Sequence, residues 1–127
     1  MSNDRRIFDI EDRLVDFAVR IIRTAESLPK TRTGNHISGQ IIRCGTSPAP
    51  NYGEAQGAES RSDFIHKMKV CLKELRETRI WLLMIVKANL IKPTSKLEPL
   101  INESNELISI FVTSVKTAKQ RECRKIS

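Results

Sequence analysis

The side chains of this chain that could do covalent or metal chemistry are few and scattered. Cys44, Cys71 and Cys123 stand far apart, without a Cys-x-x-Cys pair and without a histidine beside them. That spacing suits neither a thiolate metal site nor a redox pair, and Cys44 and Cys71 read as small buried hydrophobes. His36 and His66 are thirty residues apart, and neither lies i,i+4 to another ligand type on an evident shared face, so no metal site and no cofactor are expected. Asn51, Glu54 and Arg79 are polar residues at positions where apolar ones would be easier to bury. A carboxylate, an amide and a guanidinium together could hold a small anion, but no nucleophile or titrating base joins them. Because an unpaired buried charge is very costly, the expectation is a structural pairing of Arg79 with Glu54, or with an acid of an adjacent subunit. Gly45-Thr46-Ser47 lacks the second glycine, the lysine and the preceding strand of a phosphate-binding loop. The residue types do not point to an enzyme.

Charge is the stronger signal. The chain of 127 residues carries a formal net charge of +7. Residues 60–93 hold eight Lys or Arg against Asp63, Glu74 and Glu77, an excess of five within one segment. At about 100° per residue, Lys69, Lys73, Arg76 and Lys87 fall within a band of about 60°, a row able to follow a phosphate backbone. The competing reading is a solvated helix face, partly neutralised by Glu77 at i,i+4 to Lys73. A second cluster, Lys116, Lys119, Arg121, Arg124 and Lys125, closes the chain. It suits the negative end of a helix dipole lying beside the acidic start of the first helix at Asp9, Asp12 and Asp16, and it equally suits a tail that folds onto phosphates. Aromatic residues are not interleaved with these cations, so base stacking is not supported. Nucleic-acid binding, to RNA or DNA, would be led by charge and shape.

The elements that must position these groups are helices. Apolar residues recur at three- and four-residue steps almost throughout, and no stretch alternates over a strand's length. Four helices follow. The first carries Ile10, Leu14, Phe17, Ile21, Ala25 and Leu28 and stops around Pro29; the second starts near Asn35; the third opens after Ser60 or Ser62 and ends near Asn89; the fourth follows Pro93. Short connections favour an antiparallel up-down-up-down bundle. Pro48 and Pro50 would break a continuous second helix, so a kink or a restart with Ser47 as N-cap is expected, placing both prolines in a first turn where their missing amides have no acceptor to lose. Val70, Ile80, Trp81, Met84 and Ile85 are apolar on the side of the third helix that the bundle core would leave uncovered, which calls for a covering surface in a homo-oligomer. The length favours a single domain over residues 1–127. The longest apolar run, Ile80 to Val86, has seven residues against roughly 20 needed to span a bilayer, and Met1-Ser2-Asn3-Asp4 lacks the order of a secretory signal. A cytoplasmic protein without membrane attachment is expected.

Gly45-Thr46-Ser47, Asn51-Tyr52, Glu54-Ala55, Ser60, Asp63-Phe64-Ile65, Lys67, Lys73-Glu74, Glu77-Thr78 and Trp81-Leu82 together resemble the signature of the four-helix bundle proteins known as 23S rRNA intervening-sequence proteins. The resemblance covers about residues 35–90 in motif and the outer helices in pattern. It implies an all-α bundle assembled as a homopentamer around an axial channel, with no known enzymatic activity. Similar bundles serve as accessory variability determinants of diversity-generating retroelements, where a basic pentamer binds the reverse transcriptase and nucleic acid. The chain departs from the family pattern at Pro48, Pro50 and Gly53. Two functions from different classes follow: a nucleic-acid platform, accessory to a reverse transcriptase as the resemblance implies, and a protein-interaction scaffold whose charge serves solubility or acidic partners.

Overall fold

The computed structural model describes the backbone from residue 2 to residue 126 and the side chains from residue 10 to residue 123. The chain forms α1 (Ser2–Glu26), α2 (Arg32–Thr46), α3 (Pro48–Gln56), α4 (Arg61–Lys87), a 3-10 turn (Thr94–Leu97) and α5 (Glu98–Ile126). α2 and α3 are separated by Ser47 alone and act as one bent second helix, so the architecture is the expected all-α four-helix bundle. α4 packs along α5 on one flank and along α2 and α3 on the other, α1 lies against α2 and α3, and α1 meets α5 sparsely.

The ends of the helices have local causes. Thr31 caps α2, its hydroxyl accepting from the Gly34 amide at 3.0 Å, and Ser60 caps α4 by accepting from the Asp63 amide at 3.0 Å; such caps satisfy amides that have no intrahelical acceptor. α4 ends where Asn89 takes a left-handed conformation, φ 53°, which asparagine tolerates better than most residues. The break at Ser47 falls where the prolines require it, with Pro48 the first residue of α3. Ser47 is not a conventional cap, however. Its dihedrals are helical (φ −69°, ψ −37°) and its side chain caps no amide; its hydroxyl accepts instead from Asn51 Nδ2 at 2.9 Å. The result is a kink between two helical segments rather than a capped restart.

The core is continuous along the bundle, with Phe17, Ile21, Ile41, Leu75, Leu82 and Phe111 fully buried and Tyr52 meeting Phe111 edge-on at 5.9 Å between ring centroids. The buried hydroxyls are satisfied by their own helices: Thr78 donates to the Glu74 carbonyl and Ser104 to that of Ile101, each at 2.7 Å. Ile85, assigned from the sequence to an outer apolar face, is 0% exposed within the chain's own core. The reason is that α4 contacts α2, α3 and α5, so its buried arc is wider than one stripe and turned toward α2.

One close approach fixes the spacing of α1 and α2. A Cβ at Gly45 would lie 2.6 Å from Ile21 Cγ2 and 2.9 Å from Ile21 Cγ1, inside van der Waals contact. Gly45→Ala is therefore expected to lower stability by about 1–3 kcal/mol, the usual range for an overpacked core, despite alanine's better helix propensity. Chemical denaturation of the two forms checks this; equal or greater stability of the variant would show that α1 moves aside freely.

Candidate nucleic-acid interface

The outer face of α4 is built by what the inner face leaves over. Lys69, Lys73, Arg76 and Lys87 are all exposed, and among the described residues none of the four takes part in an ion pair. The acids of α4 that could have neutralised them point elsewhere. Glu77, one turn from Lys73, accepts from Arg43 Nη2 of α2 and from Trp81 Nε1 at 3.1 Å, while Glu74 accepts from Arg43 Nη1 at 3.2 Å.

Two contacts set the pairing of α4 with α5: Arg79 Nε donates to Asn105 Oδ1 at 2.7 Å, and Arg61 lies 4.0 Å from Glu122. One number rises as the other falls, so the helices are antiparallel, and the side of α5 carrying Asn105 faces the flank of α4 that holds Arg79. Lys116 lies about three full turns beyond Asn105, within about 20° of its direction, and Lys119 within about 40°. Both are exposed, and the antiparallel register brings them beside the first half of α4. Lys69, Lys73 and Arg76 thus join Lys116 and Lys119 on one cationic face, which merges two clusters that are over forty residues apart in sequence.

Other candidate cations fall elsewhere. Lys87 is separated from Arg76 by Ile80 and Met84, which are 46% and 45% exposed. Arg121 lies on the opposite flank of α5, over a cleft of about 600 Å³ that it lines with Ser60, Arg61, Phe64 and Thr117. The side chains of Arg124, Lys125 and Asp9 lie outside the described residues. α1 reaches α5 through Arg13, whose guanidinium grips Glu103 with two bonds of 2.8 and 3.0 Å.

The polar trio does not assemble. Arg79 is half-buried and bonds Asn105 rather than Glu54, because it faces α5 whereas Glu54 projects from α3 on the other flank of α4. Glu54 is exposed and accepts from Lys67 Nζ at 2.9 Å, a hydrogen bond that raises the Lys67 pKa. Asn51 is occupied with Ser47. Of the proposed outer apolar set, Val70 and Trp81 are half-buried. Trp81 leans toward α2, its ring meeting His36 edge-on at 6.0 Å. Only Ile80 and Met84 of that set remain exposed. The sequence reading missed Val15, Val19 and Ile22 of α1 and Val112 of α5, which are 36–48% exposed; the 15, 19, 22 spacing was the available signal.

It also missed the charged cluster that holds α2 to α4. Glu74 is only 8% exposed, and Arg43 is its partner. Burial alone would lower the Arg43 pKa, but the carboxylates of Glu77 and Glu74 outweigh that and raise it. The two buried thiols offer no reactive alternative: burial pushes Cys44 up to about 11 and Cys71 up to about 12. Among the described residues no group of three metal-ligating side chains occurs, and no helix is long and apolar enough to cross a membrane.

These features define a class: an all-α four-helix bundle with an uncompensated cationic face. The chain belongs to the 23S rRNA-intervening sequence protein family, whose model matches residues 8–113. A crystal structure of a protein of unknown function from the S23 ribosomal protein family of Bacteroides thetaiotaomicron superposes with a TM-score of 0.77 at 34% sequence identity, covering 84% of this chain and 98% of that one. Comparison with curated proteins gives no match.

Two outcomes follow from this geometry. At pH 8 a thiol with a pKa of about 11 is thiolate in only about one molecule in a thousand, so iodoacetamide should modify Cys123 alone in the native protein and all three cysteines after denaturation, as read by intact mass; native labelling of Cys44 or Cys71 would contradict their burial. Arg43→Ala should lower the melting temperature by leaving Glu74 unpaired, and adding Glu74→Gln should recover part of the loss. A double variant no better than the single one would mean that the pairing contributes nothing beyond the arginine's packing.

Proposed function

We propose that this protein is a non-catalytic, basic, homo-oligomeric bundle that binds nucleic acid, RNA in the first instance, by charge and shape. The observation that carries this reading is the face formed by Lys69, Lys73, Arg76, Lys116 and Lys119, whose cations have no ion-pair partner among the described residues. The acids of α4 nearest these cations, Glu74 and Glu77, are instead engaged by Arg43 of α2, which leaves the positive charge of the face uncancelled. Membership of a family named for an intervening sequence of 23S rRNA agrees with an RNA partner. Repetition of the face around a ring, five-fold as the resemblance implies, would multiply its field without any sequence readout. In this role the bundle would steady nucleic acid for an enzyme, a reverse transcriptase being the one the resemblance suggests.

A second reading, a protein-interaction scaffold, is favoured by the exposed Ile80 and Met84 beside the cations, since apolar side chains contribute little to phosphate binding. RNA titrations across a salt series separate the two. Neutralising five phosphates per protomer predicts a log–log salt slope of about −4. Changing Lys69, Lys73 and Lys116 together to Glu should abolish binding while the mass by light scattering and the helical circular dichroism hold. Absence of binding by the intact wild-type protein would leave the scaffold reading in its place.

A further inference from the structure

The large apolar side chains left exposed among the described residues are not scattered: five of the six lie in two rows. On α1, Val15, Val19 and Ile22 (48, 36 and 40% exposed) are spaced four and three apart on the side opposite Phe17 and Ile21. Asp12 and Asp16 flank this row at one end and Glu26 at the other, all exposed, with Arg23 the one exposed cation beside it. On α4, Ile80 and Met84 form the second row, flanked by Arg76 and Lys87, with no exposed acid on that face. One row is acid–apolar–acid and the other base–apolar–base.

Within a single chain these rows cannot meet. α1 and α4 stand diagonally across the bundle and share no contact among the described residues, so their outer faces point away from one another. We propose that the outer row of α1 docks on the outer row of α4 of a second copy of this chain, apolar on apolar, with Asp12, Asp16 and Glu26 against Arg76 and Lys87. The contact is head-to-tail: each copy offers one acidic and one basic row, and successive copies close into a ring or extend as a filament according to the angle between them. Opposite charges at the two ends fix which rows pair and disfavour row pairing with its like. Lys69, Lys73, Lys116 and Lys119 lie outside the docked region, so four of the five cations of the nucleic-acid face stay open; Arg76 and Lys87 become interface residues. This inference rests on the homo-oligomeric part of the proposed function and specifies the surfaces it uses.

The test uses two variants at exposed positions, Val19→Lys and Met84→Glu, each placing on one row the charge that the opposing row repels. Light scattering of the wild type should give an oligomer. Each variant alone should fall to the 14.5 kDa monomer with unchanged circular dichroism, and a 1:1 mixture should regain a mass of two chains or more, because each supplies the row the other lacks. A monomeric wild type would overturn the oligomer reading and this interface with it. An assembled wild type with either variant still assembled would overturn the interface alone, since a symmetric α1–α1 or α4–α4 contact survives one of the two changes. Two monomeric variants that do not complement would overturn the head-to-tail pairing. Should either variant misfold, Ile22→Lys and Ile80→Glu probe the same rows.

Discussion

A carboxylate that retains 8% of its exposure, as Glu74 does, has lost most of its hydration and must be compensated from within the protein. Arg43, on the last turn of α2, supplies that compensation and reaches Glu77 as well. Three consequences follow. α2 is tied to α4 across the bundle, Trp81 is oriented through its bond to Glu77 so that it packs toward α2, and Lys73 loses the only acid one turn away that could have neutralised it. The cationic face of α4 thus depends on a pairing that α4 makes with the neighbouring helix α2.

The same division recurs elsewhere. Glu54, Glu103, Glu106 and Glu122 are each held by a cation across a helix–helix seam, by Lys67, Arg13 and Arg61. Exposed ion pairs of this kind contribute little stability individually, but their placement determines which cations remain uncompensated, and those collect where α4 and α5 turn outward together. In the proposed function the working surface is made of the charges left over after packing.

Much of this was legible in the sequence. Helix type, the stop around Pro29, the start after Ser60 or Ser62 and the break at Ser47 each rest on a local rule, either periodicity, a capping side chain or the missing amide of proline, and local rules need no knowledge of neighbours. The basic row on α4 was readable for the same reason. What failed required knowing which helix lies on which flank. Ile85 and Trp81 read as outward because α4 was given a single apolar stripe, whereas it is enclosed by three elements. Arg79 and Glu54 read as partners because both sit on inward-leaning positions, yet they open onto opposite sides of α4. The junction of Lys69 and Lys73 with Lys116 and Lys119 was invisible for a related reason, since it depends on the α4–α5 register that Arg79–Asn105 and Arg61–Glu122 reveal.

The order in which the helices pair bears on how the bundle moves. α4 and α5 are joined by a short connection and pack extensively along their length, so their pairing involves little loop-closure entropy. α1 and α5 come from opposite ends of the chain, meet sparsely, and are joined mainly by Arg13 with Glu103 and Glu106, some ninety residues away in sequence. Native proteins open first where few apolar contacts hold them. Among the described residues the seam between α1 and α5 is that place, and its parting would leave the α4–α5 hairpin and its cations undisturbed, so the surface proposed to meet phosphate would sit in the half of the molecule that opens last.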